Sequence, residues 1–232
     1  MNLSPVNYDE KHKNFIDLFN KRNEKDADYW SKDECKEIKK FIKDHYIKSQ
    51  KFTCAFCKQK IVQKHNRAWD IEHIISRSSY AEFMFEPKNL CLSCIDCNIK
   101  KGRNSVLITN DIKKFPSSSN LYKIIHPHFD KYEEHINILV EGALYQVINN
   151  SSKGRETRRI YGLDRFIEDA NRNQIINNSP ETQKLVATLL CSDEEKEFEK
   201  AERELLIKLV NKYVPDTEPE LHSKMIKLIS KP

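Results

Sequence analysis

The segment Cys54-Ala-Phe-Cys57 is followed along the chain by Trp69-Asp70-Ile71-Glu72-His73 and then by Cys94-Ile-Asp-Cys97. Two C-x2-C pairs supply four thiolates, which suit the tetrahedral geometry of a closed structural zinc site. The two acids and the histidine between the pairs are therefore left for other chemistry. The sequence predicts a small unit that is held together by one Zn²⁺ ion and carries a second polar centre.

The composition indicates a protein without membrane segments. The chain has 232 residues, of which 38% are hydrophobic and 32% are charged, and its mean hydropathy is −0.73. It contains no apolar run of roughly 18 residues that could span a bilayer, and its first residues lack the pattern of a secretory signal. We therefore expect a cytoplasmic location, where closely spaced cysteines more often bind metal than form disulfides. The net charge of +5 permits a polyanionic partner without requiring one.

Local patterns predict an α+β chain. Ser31-Lys32-Asp33-Glu34 has the form of a capping box and predicts a helix that ends near Lys48. The zinc unit is expected to contain a short hairpin over 52–62, a strand over 68–75, a loop over 76–88 and the start of a helix over 96–103. Two strands, a loop and a helix around a metal make a ββα unit.

The remainder of the chain is predicted to be a hairpin followed by helices. Glu141-Gly142 is a turn signal between the apolar segments 136–140 and 144–148. A helix is expected from about Asp164 to Asn173, and the chain from Ser179 onward is expected to be helical. The longest of these helices aligns four apolar residues, which favour core packing or, alternatively, a partner-docking surface; they are Phe198, Ala201, Leu205 and Leu209.

Asp70, Glu72 and His73 suggest phosphodiester chemistry. In an extended strand Asp70 and Glu72 share a face, so both carboxylates could approach one hard divalent ion. A neutral His73 imidazole could take a proton from a water aligned on phosphorus, while Mg²⁺ stabilises the developing charge. For all three side chains to line one cleft, the strand must end or bulge at His73.

These motifs together resemble the HNH endonuclease family. The resemblance covers about Phe52 to Arg103, and the motifs agree with the family in order, residue type and spacing. The matching elements are Cys54-x2-Cys57, Asp70-Ile-Glu-His73, Pro87-Lys-Asn89-Leu90 and Cys94-x2-Cys97-Asn98-x2-Lys101-Gly102. The resemblance implies a metal-dependent nuclease, with nucleic acid as substrate and DNA favoured.

The resemblance also implies roles for single residues. His73 is the general base, Glu72 and Asn98 hold a catalytic Mg²⁺ or Mn²⁺ ion, and Asn89 braces the loop that carries the base. Because the acid before the histidine is commonly aspartate in the family, Asp70 is expected to share or take over the metal contact from Glu72. Cys91 and Cys94 form an alternative C-x2-C pair, but only Cys94 with Cys97 places Asn98 at the metal position.

Basic residues around the proposed cleft are expected to contact phosphates; they are Arg77, Lys100, Lys101 and Arg103. A looser resemblance of the C-terminal half to HNH proteins of Septu-type and retron-associated anti-phage systems implies a protein partner, expected to be an ATPase. The alternative is a non-enzymatic zinc module that binds nucleic acid or protein. The expected regions are a helical segment (1–50), the HNH unit (51–115), a hairpin and helix extension (116–178) and a helical C-terminal region (179–232).

Overall fold

The computed structural model describes residues 3–62, 68–139, 144–167, 200, 203–208, 211, 223 and 226. The chain divides into two compact units. The first contains Met1–Asn137 and Val147–Leu163, and the second contains Ile138–Gln146 and Asp164–Pro232. All of the residues proposed for zinc binding and catalysis belong to the first unit.

Helices and short antiparallel strands make up the described chain, which confirms the predicted α+β class. The helices are α1 (Glu10–Asn20), α2 (Lys36–Ser49), α3 (Ile95–Lys101) and α4 (Ser152–Ile160). The strands are β1 (Trp69–His73), β2 (Leu90–Cys94), β3 (Ile136–Leu139) and β4 (Leu144–Val147). None of the described helices is long and apolar enough to cross a bilayer.

Helix α2 supports the strands of the zinc unit from one side. It buries Ile38, Ile42 and Tyr46, which recur every fourth residue on one face. The Tyr46 hydroxyl donates a hydrogen bond to the Pro87 carbonyl at 2.8 Å. The expected capping box is not used: a short 3-10 turn over Asp33–Cys35 comes first, and α2 begins at Lys36 without a side-chain cap.

Strands β1 and β2 form an antiparallel pair that leads directly into α3. Asp70 lies opposite Ser93, and Glu72 lies opposite Cys91. At the outer edge of β2 the Gln50 side-chain amide accepts from the Leu92 N–H at 2.8 Å and donates to the Leu92 carbonyl at 2.9 Å. Cys94 is the last residue of β2, and α3 begins at the next residue.

Strands β3 and β4 form a second two-stranded sheet, as the sequence predicted; the turn Glu141-Gly142 lies outside the described residues. The predicted helix at Asp164–Asn173 is described only to residue 167. Of the apolar stripe proposed for docking, Leu205 is fully buried, whereas Phe198, Ala201 and Leu209 lie outside the described residues. Leu205 is therefore not available to a partner.

Candidate functional site

A tight turn presents the first cysteine pair. The Cys54 N–H donates to the Gln59 carbonyl at 3.0 Å, and the Lys58 N–H donates to the Cys54 carbonyl at 3.1 Å. Lys58 adopts a left-handed backbone conformation with φ of 56°. This turn points the thiols of Cys54 and Cys57 toward the end of β2, to which it is joined by a hydrogen bond from the Ala55 N–H to the Leu92 carbonyl at 3.1 Å.

The second pair completes a four-thiol cluster. Cys94 ends β2 and Cys97 lies in the first turn of α3. All four sulfur atoms lie within 4.8 Å of one another, and all four residues are buried. Four thiolates around a Zn²⁺ ion with Zn–S bonds of about 2.3 Å lie about 3.8 Å apart, and the Cys57 and Cys94 sulfurs are 3.8 Å apart. The cluster therefore fits a structural zinc ion.

Cys91 is excluded from this cluster. It is buried on β2 opposite Glu72, and its burial raises the pKa of the thiol well above the ordinary value. The structure brings Cys94 and Cys97, and not Cys91, together with Cys54 and Cys57.

Asp70 and Asn98 meet at the wall of an open cleft of about 500 Å³. The Asn98 side-chain N–H donates to Asp70 Oδ2 at 2.8 Å. Because the amide nitrogen faces Asp70, the amide oxygen of Asn98 is the atom left for a cation. A carboxylate and an amide oxygen are hard ligands of the kind that Mg²⁺ and Mn²⁺ prefer.

Glu72 is buried and does not line the cleft as Asp70 does. Its carboxylate is 3% exposed and forms an ion pair with the equally buried ammonium of Lys101. Burial raises the pKa of Glu72, and the Lys101 charge opposes this shift. Glu72 is absent from the residues that line the cleft.

Lys101 does not lie where its predicted role in phosphate binding requires. Its side chain is 3% exposed, and Nζ also donates to the His73 carbonyl at 2.7 Å. The expectation that Lys101 contacts phosphate on the surface is wrong for this conformation, because its ammonium is enclosed between α3 and β1. Lys100 and Lys101 are adjacent in a short helix, so their order in the sequence could not reveal which one points inward.

His73 ends β1 in an enclosed position. Its Nε2 lies 3.0 Å from the Met84 carbonyl oxygen. Because a carbonyl oxygen can only accept a hydrogen bond, Nε2 must carry the proton. Among the described residues, no protein group hydrogen-bonds to Nδ1, so the lone pair of the neutral ring is on that atom. Burial lowers the pKa of His73 to about 3, with smaller contributions from the charges of Arg77 and Lys101. The imidazole is therefore neutral at pH 7.

Asn89 braces the loop that follows His73. It is fully buried, and its amide donates to the carbonyls of Ile75 at 3.1 Å and Phe83 at 3.0 Å. Its side-chain oxygen accepts from the Ile75 N–H at 2.7 Å. One side chain thus joins the two ends of the loop between β1 and β2.

Of the predicted phosphate contacts, Arg77 lines the cleft, and its Nε donates to the Ala27 carbonyl at 3.2 Å. Lys100 and Arg103 are exposed but do not line it. The stem of Lys100 lies against Gly162, where an added Cβ would meet its Cδ at 3.1 Å.

Helix α2 and Trp30 contribute cleft residues that the motifs did not predict. Lys39, Lys40 and Lys43 line the cleft together with Trp30. The Trp30 ring stands edge-on to His73, with ring centroids 4.6 Å apart at 83°. The spacing of these lysines is a helical pattern, which could have placed them on one face but not against β1.

Comparison of this chain with models of protein families, with curated proteins and with solved structures finds no match.

Proposed function

We propose that this chain is a metal-dependent endonuclease of the HNH type, which hydrolyses phosphodiester bonds in nucleic acid, with DNA as the favoured substrate. The observation that carries the proposal is the pairing of Asp70 with Asn98 in an open basic cleft. Support also comes from the order of β1, β2 and α3 around a four-thiol cluster.

Asp70, rather than Glu72, is the carboxylate that would hold the catalytic ion. Asp70 lines the cleft beside Asn98, whereas Glu72 is enclosed with Lys101. A bound Mg²⁺ or Mn²⁺ ion would supply stabilisation of negative charge on the phosphoryl and leaving oxygens. Asp70 and the amide oxygen of Asn98 would position it.

His73 would act as the general base through Nδ1. The Met84 carbonyl holds the ring in the tautomer whose lone pair is on Nδ1. A neutral imidazole can accept a proton from the attacking water. The negative charge of a phosphate in the cleft would favour the imidazolium and so raise the low pKa of His73.

The burial of His73 favours one alternative, a zinc module that binds without cleaving. His73 is 4% exposed, and Trp30 covers one side of it. Catalysis by His73 would therefore need the groups that enclose the ring, Trp30 among them, to admit a water molecule to Nδ1. The expected anti-phage role and ATPase partner stay predictions.

Cleavage of supercoiled plasmid by the purified full chain separates these two functions. The reaction is run with Mg²⁺ or Mn²⁺ and, as the metal-free control, without added divalent ion, because a chelator would also remove zinc. We expect wild type to nick the plasmid, His73→Ala to be inactive, and the matched variant His45→Ala to retain activity. Binding of nucleic acid without cleavage by wild type under all of these conditions would favour the zinc module.

A further inference from the structure

The cleft side of α2 carries a cluster of lysines outside the segment that resembles HNH proteins. Lys39 and Lys43 are four residues apart, and Lys40 and Lys43 are three apart, so the three side chains share one side of the helix. This side lies next to the buried stripe of Ile38 and Ile42. We call Lys39, Lys40 and Lys43 the lysine face.

The lysine face opens onto the same cleft as Asp70 and Asn98. The charged residues that line this cleft are the basic Lys39, Lys40, Lys43 and Arg77 and the acidic Asp44 and Asp70, which is four against two. A divalent ion held by Asp70 would increase the positive excess further. The cleft is therefore electrostatically suited to a polyanion.

Two of the lysines are held in place by backbone carbonyls. Lys43 Nζ donates to the Trp69 carbonyl at 2.6 Å, and Lys39 Nζ donates to the Trp30 carbonyl at 2.9 Å. A carbonyl restricts a lysine side chain without neutralising its charge, and Lys43 also interacts electrostatically with Asp70 and Asp44. Lys40 is exposed, and neither Lys39 nor Lys40 forms an ion pair with any residue that the structure describes.

Trp30 extends this surface toward the base. Its ring lines the cleft, lies 5.6 Å from Lys39 Nζ and contacts His73 edge-on. An aromatic ring beside basic side chains is the combination that holds a nucleic-acid strand, because the ring stacks on a base or sugar while the cations contact phosphates. The distance along α2 from Lys39 to Lys43 is about 6 Å, which matches the axial rise of about two nucleotides.

We propose that the lysine face, with Trp30, binds the phosphate backbone of the nucleic-acid substrate and directs it to the cleft. This inference rests on the proposed function and names the surface that holds its substrate. The sequence-based expectation assigned phosphate contacts to Arg77, Lys100, Lys101 and Arg103, of which only Arg77 lines this cleft. The partner is a nucleic-acid backbone because the surface combines an excess of cations, an aromatic ring and a site for a hard cation.

The test measures binding apart from cleavage. A fluorescein-labelled DNA duplex, an RNA of the same sequence and a poly-glutamate peptide are each titrated with the full chain carrying His73→Ala in the presence of Mg²⁺, and the anisotropy is followed at several NaCl concentrations. In this background we compare Lys40→Gln, the double variant Lys39→Gln/Lys40→Gln and, as the matched control, Lys48→Gln. Lys48 is an exposed residue of the same helix that does not line the cleft.

Each lost phosphate contact is expected to reduce the slope of log K against log [NaCl] by about 1, and so to weaken binding about eightfold at 0.1 M NaCl. We expect that change for Lys40→Gln, about twice that change in slope for the double variant, and no change for Lys48→Gln. Zinc content and melting temperature are measured for each variant, to show that the fold is retained.

Three results would contradict the proposal that the lysine face binds nucleic acid. The first is an unchanged salt slope in both variants that replace Lys40. The second is failure of the His73→Ala protein to bind DNA or RNA at low salt. The third is that the two lysine variants lose more affinity for the poly-glutamate peptide than for DNA. If the protein binds DNA through these lysines but never cleaves it, the proposed nuclease function would be rejected, whereas the proposed role of the lysine face in binding nucleic acid would be supported.

Discussion

Lys101 and Glu72 form a buried ion pair between α3 and β1, and both side chains are less than 5% exposed. The same ammonium donates to the carbonyl of His73. One lysine therefore neutralises the acid beside the proposed base and fixes the backbone of the base itself. This pairing leaves Asp70 as the carboxylate that faces the cleft.

Replacing Lys101 should lower the free energy of unfolding of the protein. Lys101→Met leaves Glu72 buried without its counter-ion, which typically costs about 3–5 kcal/mol. The free energy of unfolding in urea measures this loss, and Lys100→Met on the exposed side of α3 is the matched control. The double variant Lys101→Met/Glu72→Gln should recover most of the stability. Equal stability of the Lys101 and Lys100 variants would refute the structural role of the pair.

Zinc should be bound by four of the six cysteines in the described residues. We expect one Zn²⁺ ion per chain in wild type and in Cys91→Ala, since Cys91 lies outside the cluster. Cys57→Ser should lose zinc together with solubility or stability, because structural zinc contributes directly to folding. Elemental analysis of the folded proteins measures the ratio. A well-folded wild type without zinc would contradict the site.

Loss of the Asn89 side chain should loosen the loop after His73. Asn89→Ala removes three buried hydrogen bonds to backbone groups, each of which costs about 1–3 kcal/mol when its partner stays unsatisfied. Hydrogen exchange at the Ile75 N–H should accelerate, and cleavage should fall with it. The matched control is Asn104→Ala, whose side chain makes one local bond to Lys101. Unchanged exchange at Ile75 would show that Asn89 does not brace the loop.

The sequence predicted contacts that depend on short spacing better than those that depend on the fold. The C-x2-C pairs identified all four thiols of the cluster. The period of a strand predicted that Asp70 and Glu72 share a face, but it could not show that only Asp70 would line the cleft. The sequence could not show that Lys101, 29 residues after Glu72, would enclose that acid, because the inward residue of α3 is set by its packing on β1. Helix α1 lies inside the helical segment predicted over 1–50, but its bounds were not predicted, because it buries only His12 and Phe19, which is too few positions to reveal a period.

Acid should destabilise the protein through buried histidines. Burial lowers the pKa of His126 from its ordinary value of 6.5 to about 2, so below pH 6.5 the unfolded chain binds a proton that the folded chain does not. Stability is then full above pH 6.5 and falls as the pH drops toward 2, by up to about 1.4 kcal/mol per pH unit. Between pH 6.5 and 5.0 the loss from His126 is about 2 kcal/mol.

His126→Asn should make this pH dependence shallower by about that amount, although the buried His73 and His128 still contribute in the same direction. Urea unfolding of both proteins at pH 7 and pH 5 measures the difference. If both proteins lost the same free energy of unfolding, His126 would not be a source of the acid sensitivity.

The rate of plasmid cleavage as a function of Mg²⁺ concentration, compared between wild type, Asp70→Asn and Asn98→Ala, tests the metal-dependent nuclease most directly. We predict a wild-type rate that rises with Mg²⁺ and saturates, and rates at least about 100-fold lower in both variants, because each removes a group that positions the charge-stabilising ion. Zinc content should be unchanged in all three proteins. Wild type that cleaves no nucleic acid with Mg²⁺ or Mn²⁺, or variants that cleave at the wild-type rate, would contradict the account.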